Sequence, residues 1–150
     1  QTLVTCRVPR IELLSCIFAG LSGGLVGVLW SGVVSMPWLA RRPDAQAFAP
    51  RPESTLNALA GAAILAAGGA ALGFLFWLGW ALISVVNAPW YVPGLLFGLL
   101  TWAGIAMPLL GGAALRLQGF SRVALVLAIE WLVTCLAVGL FCTFAWHRYT

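Results

Sequence analysis

Three long stretches without a charged side chain constrain this chain more than any other feature. They cover residues 13–40, 54–115 and 131–146. About 20 apolar residues cross the hydrocarbon core of a bilayer as a helix, so the first and third stretches are each long enough or nearly so. The second stretch is long enough to cross twice. The sequence therefore predicts a polytopic integral membrane protein.

The overall composition agrees with this prediction. The chain is 62% hydrophobic and 8% charged, and its mean hydropathy is +1.01. A soluble domain carries about 25% charged residues, because its surface faces water. This chain has too few charged groups to cover a water-soluble globule.

The basic residues sit at the edges of the apolar stretches. The net charge is +4 and all eight basic residues are arginines, at positions 7, 10, 41, 42, 51, 116, 122 and 148. They form no continuous basic face, so we expect interfacial anchors and no nucleic-acid partner. The absence of lysine indicates a GC-rich genome, from which we expect the inner (cytoplasmic) membrane of a bacterium.

Helix breakers and interfacial aromatics divide the apolar stretches into four helices. Their predicted bounds are approximately 11–36, 55–86, 93–115 and 121–146, within one transmembrane domain. Met36-Pro37-Trp38 closes the first helix, and two prolines in residues 87–94 make a tight turn after the second. The predicted fold is all-α, an up-down bundle of four transmembrane helices with short loops. No repeat is apparent.

The arginine distribution also predicts an orientation. The loops at residues 41–53 and 116–122 hold five arginines, whereas the two ends of the chain and the 87–94 turn hold three. Positively charged loops favour the cytoplasmic side, so both termini are predicted outside.

Glycines predict how the helices pack. Lipid tails are as apolar as leucine, so helices associate through close packing, which small residues permit. Two G-x-x-x-G pairs in the first helix indicate such contacts. The expected packing positions are Gly20, Gly24, Gly27, Gly68, Gly69 and Gly98.

One carboxylate, Glu130, stands inside the fourth helix. It lies eight residues from Arg122, which is about 12 Å along a helix and too deep to reach the headgroups easily. In an antiparallel bundle, Ser31, residues 66–69 and Met107-Pro108 share that depth. We expect a protonated Glu130 that donates a hydrogen bond to a carbonyl or hydroxyl oxygen among these small residues.

Three roles stay open for this carboxylate. It is a structural acid that locks helix 4, a contact to a partner subunit or cofactor, or a group that handles protons or cations. Thr134, one turn further, shares its face and extends either a clamp or a relay. The missing N–H of Pro108 frees the Gly104 carbonyl. The candidate polar site is therefore Glu130, Thr134, Ser31 and Pro108.

Other chemistry has little material in this sequence. The only aspartate, Asp44, lies in a loop, so no Ser-His-Asp set is credible, no catalytic residue is assigned, and we do not expect an enzyme. The single histidine, His147, is a weak candidate ligand for a chlorophyll magnesium or a haem iron, and an interfacial role is the simpler interpretation. No C-x-x-C pair occurs among the four cysteines, so no metal site is expected. Tryptophans deep in the helices leave bound lipid or pigment open as a cofactor.

Two functions from different classes remain. The first is an accessory or structural subunit of a larger membrane complex, photosynthetic or respiratory, with lipids and other membrane subunits as its partners. Slight loops, deep tryptophans and the lack of a catalytic set favour it. The alternative is a small oligomeric transporter or channel that uses Glu130. The short list of intramembrane polar residues counts against that alternative.

Overall fold

A computed structural model describes residues 10–41, 55–83, 89–116 and 120–149. This part of the chain is helical and contains no strand. Four of its helices are long and apolar enough to span a membrane, at Leu13–Ala40, Ala62–Gly79, Tyr91–Leu115 and Ser121–Arg148. The predicted all-α class with four transmembrane helices is confirmed.

Two of the four helices contain a π-helical turn. Helix α1 covers residues 10–40 and consists of Arg10–Trp30, the π turn Ser31–Ser35 and Met36–Ala40. Helix α2 is Thr55–Ile83. Helix α3 covers residues 91–116 and consists of Tyr91–Thr101, the π turn Trp102–Ala106 and Met107–Arg116. Helix α4 is Ser121–Tyr149.

The end of α1 differs from the prediction. The sequence predicts an end at residue 36, because Pro37 has no N–H for the helical ladder. In the structure α1 continues to Ala40, since the wider π turn before the proline is closed by the Met36 N–H, which donates to the Ser31 carbonyl. The charged loop at 42–53 and the predicted helical residues 84–86 lie outside the described residues.

Neighbouring helices pair in opposite chain directions. Gly20 and Gly24 of α1 contact Gly69 of α2. On its other side, α1 places Gly23 against Val138 of α4. Helix α3 packs along α4 and barely touches α2. Helices α1 and α3 therefore flank α4, and both run antiparallel to it.

The core lies where α1, α2 and α4 meet. Its buried residues are Cys16, Leu72, Phe76, Cys135, Val138 and Cys142. Phe76 links this core to α3 through an edge-to-face contact with Phe97, at 5.0 Å between ring centroids. A Cβ atom added to Gly24 would lie 2.8 Å from the Leu65 carbonyl oxygen, so the helices approach at backbone distance. Such close packing is the main attraction between helices in lipid.

Helices α1 and α3 repeat one local pattern that inspection of the sequence missed. Residues 31–40, SGVVSMPWLA, and 102–111, WAGIAMPLLG, each form a π turn followed by Met-Pro-x-Leu. Two stripes of residues, each spaced by four along its helix, face α4. The stripe in α1 is Gly23, Gly27, Ser31, Ser35 and Leu39. The stripe in α3 is Gly94, Gly98, Trp102, Ala106 and Leu110, each 71 residues after its counterpart in α1. Four-residue spacing drifts around a helix of 3.6 residues per turn, and the extra residue of each π turn offsets that drift.

Candidate functional site

Glu130 lies on the side of α4 that faces α1. Its side chain is 5% exposed. One turn further along α4, Thr134 contacts Gly27, and another turn on, Val138 contacts Gly23. The same register continued one turn in the other direction places Ser31 opposite Glu130. Glu130 therefore faces another helix of its own chain and is shielded from lipid.

Ser31, Ser35 and Thr134 complete a buried polar cluster with Glu130. Their exposed fractions are 9%, 1% and 1%. The Thr134 hydroxyl donates to the Glu130 main-chain carbonyl at 2.9 Å, which is the local bond that serine and threonine form inside helices. Thr134 is thus satisfied within α4, and the remaining polar capacity belongs to the two serines and the carboxyl group.

Hydrogen bonds among the described residues leave much of that capacity unused. The Ser35 hydroxyl oxygen is buried and has no hydrogen-bond partner. No residue in the described part of the chain forms a hydrogen bond or ion pair with the Glu130 carboxyl. Leaving one buried polar group unpaired costs about 1–3 kcal/mol. The Ser35 hydroxyl is such a group, and together with the buried residue Glu130 it marks this interface as the candidate site.

No basic residue balances the carboxyl group. Residues 13–40, 55–83, 91–115 and 123–146 contain no arginine, lysine or histidine. The nearest basic residues toward the C-terminal end of α1 and the N-terminal end of α4 are Arg41 and Arg122. The membrane-spanning residues of the four helices therefore supply no positive charge beside Glu130.

Pro108 does not join the cluster. It is exposed on α3, which packs on a different side of α4. The Trp102 indole N–H donates to the Ala128 carbonyl at 2.8 Å, so the π turn of α3 lies beside α4 near Ala128. The expectation that Met107-Pro108 shares the depth of Glu130 stays a prediction. The structure brings together Glu130, Thr134 and Ser31 and leaves Pro108 apart.

Five of the six glycines expected at packing positions occupy three interfaces, and Gly68 lies at a fourth, between α2 and α4. Gly20, Gly24 and Gly69 meet between α1 and α2, Gly27 meets Thr134, and Gly98 lies against Cys135 and Leu136. A Cβ atom on Gly68 would lie 3.6 Å from the Trp131 ring, which is ordinary contact. Gly68 is thus the one of the six where a methyl group fits.

A second feature is an apolar cavity of about 240 Å³ between α2, α3 and α4. It exists because α3 packs on α4 and barely touches α2. Its lining residues are Leu72, Thr101, Ile105, Ala106, Leu109, Leu110, Trp131 and Cys135. Its lining is almost wholly apolar, so it is a place for hydrocarbon and not for ions.

The weak candidate His147 lies exposed near the end of α4. Its ring stacks on Trp90, with 6.5 Å between centroids and 12° between planes. Within residues 10–41, 55–83, 89–116 and 120–149, no three histidine, cysteine or carboxylate side chains are grouped to hold a metal ion. The Cys142 thiol donates to the Cys16 carbonyl at 3.6 Å, and both cysteines are buried and outside any disulfide.

The sequence analysis did not identify Ser35, which is as deeply buried as Thr134. The signal was present, because Ser35 follows Ser31 by four residues and precedes Met-Pro, as Ala106 does in α3. Recognising it requires knowing that this dipeptide follows a π turn in both helices.

Fold and site together define the class of this protein: an all-α integral membrane protein with four spans and a carboxyl group buried between two of them. No protein-family model, curated protein or solved structure matches the chain.

Proposed function

We propose that this protein is an accessory or structural subunit of a larger complex in the inner membrane of a bacterium, and that α3 binds a transmembrane helix of a partner subunit. The observation that carries this proposal is a patch of small residues on α3 that stays exposed among the described residues. Ala103, Gly104, Pro108 and Gly111 are exposed there.

The glycines of this patch differ from those elsewhere. Cβ atoms added to Gly104 and Gly111 would meet no atom within 4 Å, whereas Gly94 and Gly98 of the same helix lie against the backbone of α4. Small residues in membrane helices let another helix approach closely. The patch has the composition of a helix–helix contact, but no described helix of this chain packs on it.

The π turn adds an independent reason for a partner. Pro108 has no N–H and therefore donates no main-chain hydrogen bond. In the π-helical pattern its acceptor would be the carbonyl of residue 103, and in the α-helical pattern it would be that of residue 104. Both residues are exposed. A carbonyl that lacks a donor in lipid costs several kcal/mol, so the proposal places a hydrogen-bond donor of the partner helix beside these residues.

This donor argues for a different subunit over a second copy of the chain. In a two-fold symmetric contact the same patch meets itself. None of the four patch residues has a side-chain hydrogen-bond donor, so self-pairing leaves the carbonyl unsatisfied. A helix with serine, threonine, asparagine or tryptophan at this depth satisfies it.

Gentle extraction from native membranes, followed by native gels and mass spectrometry, tests the proposal. We expect stoichiometric co-migration with other membrane subunits. Gly104→Leu and Gly111→Leu should abolish it and leave helicity unchanged. Gly79→Leu is the matched control, because Gly79 also has no atom within 4 Å but lies on α2. Migration of the chain alone or as a small homo-oligomer on the native gel would contradict the proposal.

A second candidate, a small oligomeric transporter or channel, is supported by the unpartnered carboxyl of Glu130. The polar cluster, however, stops at Thr134, because the next turn packs Val138 against Gly23. Proton-flux assays on vesicles with the wild-type chain and with Glu130→Gln separate the two candidates. A flux that the substitution removes favours transport over the subunit role.

A further inference from the structure

We infer that the apolar cavity between α2, α3 and α4 binds one acyl chain of an anionic phospholipid, with the lipid headgroup at the end of the bundle that carries Arg116 and Arg122. This inference goes beyond the subunit role, because the cavity lining and the exposed patch on α3 have no residue in common.

The cavity opens sideways, toward the surrounding lipid. Leu72 of α2 and Ala106 of α3 line it and are buried, whereas Ile105 and Leu109 line it and are 51% and 72% exposed. Helix α3 packs along α4 and barely touches α2, which leaves a gap between α2 and α3. A hydrocarbon chain can therefore enter from the bilayer without any separation of the packed helix pairs.

The cavity is large enough for a segment of hydrocarbon chain. Its volume is about 240 Å³, and an engineered apolar cavity of about 150 Å³ stays dry and binds benzene. Water finds no hydrogen-bond partners against an apolar lining, and an empty cavity deprives the lining of dispersion contacts. A hydrocarbon occupant restores those contacts.

The lining favours an occupant without polar groups. Thr101, Trp131 and Cys135 are the lining residues whose side chains carry a polar atom, and the surface that faces the cavity is nonetheless almost wholly apolar. A quinone ring or a porphyrin would bury carbonyl or carboxylate oxygens here with few donors to receive them, which is costly. An acyl chain buries only methylene and methyl groups, so the lining selects such a chain over a pigment or a redox cofactor.

The depth of the cavity matches a chain that starts at one membrane surface. Leu110, at one end of the lining stretch of α3, lies six residues from Arg116, about 9 Å along the helix. Trp131 lies nine residues from Arg122, about 13 Å along α4. One leaflet contributes about 15 Å of hydrocarbon, half the thickness of a bilayer core. The terminal part of an acyl chain whose headgroup lies at this end therefore reaches the cavity.

Arginines identify the surface that the headgroup occupies. Helices α3 and α4 are antiparallel, so Arg116 at the end of α3 and Arg122 at the start of α4 lie at the same end of the bundle, and the Arg122 side chain is exposed. Toward the opposite end, residues 91–101 of α3 contain no charged side chain, and the first arginine of α4 is Arg148, thirteen residues beyond Cys135. Basic residues at a membrane surface attract anionic headgroups. Depth and charge together select an anionic phospholipid over an uncharged isoprenoid lipid.

Photo-crosslinking in vesicles tests the inference. The full chain is reconstituted in phosphatidylcholine vesicles that contain a trace of phosphatidylglycerol with a diazirine near the end of one acyl chain, and mass spectrometry locates the labelled peptides after irradiation. We expect labelling concentrated on residues 101–110 and 131–135. A phosphatidylcholine probe with the same diazirine chain should label these residues about fivefold less, the preference that one arginine near the surface confers on an anionic lipid.

Two substitutions fill the cavity. Ala106→Leu and Thr101→Leu each place a larger side chain in the lining, and each should lower the labelling of residues 131–135 about tenfold. Ala67→Leu is the matched control, because Ala67 is exposed on α2 and is not part of the lining. Circular dichroism confirms that the helices are retained, and if one cavity variant fails to fold the other still makes the test.

Three results would overturn the inference. Labelling spread evenly over the lipid-facing residues of all four helices, and unchanged by either cavity substitution, would show that the cavity holds no bound chain. Equal labelling by the two probes would contradict the anionic headgroup. Labelling that excess unlabelled isoprenoid quinone removes, and that excess phosphatidylglycerol does not, would assign the cavity to a different lipid. The vesicles contain only this chain, so none of these results depends on a partner subunit.

Discussion

The indole N–H of Trp102 donates a hydrogen bond of 2.8 Å to the main-chain carbonyl of Ala128, and this bond joins the π turn of α3 to α4. Trp102→Phe keeps most of the ring and removes the donor. We expect a loss of about 0.5–1.5 kcal/mol in the free energy of unfolding, the usual contribution of one such bond. Unfolding in mixed micelles, followed by circular dichroism, measures it.

Trp77→Phe is the control for that substitution. Trp77 is partly buried and stacks on Phe74 with 6.1 Å between ring centroids. Its indole N–H bonds to no other described residue. An equal loss in both variants would show that ring size, and not the hydrogen bond, accounts for the effect at residue 102.

Two glycines of α2 should respond in opposite ways to the same methyl group. A Cβ atom on Gly73 would collide with the Cys16 carbonyl, whereas one on Gly79 would meet nothing within 4 Å. Gly73→Ala should therefore destabilise the chain by about 1–3 kcal/mol, as overpacking does. Gly79→Ala should be neutral or stabilise by up to about 1 kcal/mol, because alanine favours helix. Thermal unfolding of both variants in one detergent makes the comparison, and similar shifts in both would argue against the α1–α2 contact.

The four spans could be predicted from the sequence because each depends on local composition. An uncharged stretch of 20 or more residues has few stable alternatives to a membrane helix, and prolines and arginines mark its ends. The end of α1 was misplaced because the proline rule concerns α-helical hydrogen bonds, whereas Pro37 follows a π turn. The proline rule assumes an α-helical hydrogen-bond pattern, and that pattern is absent before Pro37.

The candidate site was only partly predictable for a related reason. Glu130 stands out in any apolar run, and Ser31 follows from depth alone. In a regular helix, however, residue 35 would point about 80° away from Gly27, the residue that faces α4. The π turn rotates it back into the interface, so periodicity misses Ser35. The apolar cavity could not be predicted from the sequence, because it depends on the distance between α2 and α3.

Cys16 and Cys142 should form a disulfide when the membranes are oxidised. The Cys142 sulfur lies 3.6 Å from the Cys16 carbonyl oxygen, and both side chains belong to the buried core. In a variant that retains these two cysteines and replaces Cys6 and Cys135 with alanine, copper-phenanthroline should cross-link α1 to α4 rapidly. A change in gel mobility that reducing agent reverses, or mass spectrometry of the linked peptides, detects the bond.

A second variant that retains only Cys16 and Cys135 controls the cross-linking. Cys135 precedes Cys142 by seven residues, about 10 Å along α4, which is beyond the reach of a disulfide. Faster cross-linking in this variant than in the first would contradict the antiparallel register of α1 and α4. The register of the polar cluster depends on the same pairing, so this result bears on the site as well.

The repeated pattern predicts that one substitution has different effects at its two equivalent positions. Ser35 is 1% exposed in the interface with α4, whereas Ala106 is 8% exposed and lines the apolar cavity. Leucine at residue 35 has no space, so Ser35→Leu should lower the free energy of unfolding by about 1–3 kcal/mol. Ala106→Leu can extend into about 240 Å³ of cavity and should be close to neutral or stabilising. Equilibrium unfolding of both variants tests the difference, with Ser35→Ala separating loss of the hydroxyl from added volume. If Ala106→Leu proves as damaging as Ser35→Leu, then α3 lies closer to α2 than the structure places it and the cavity is closed.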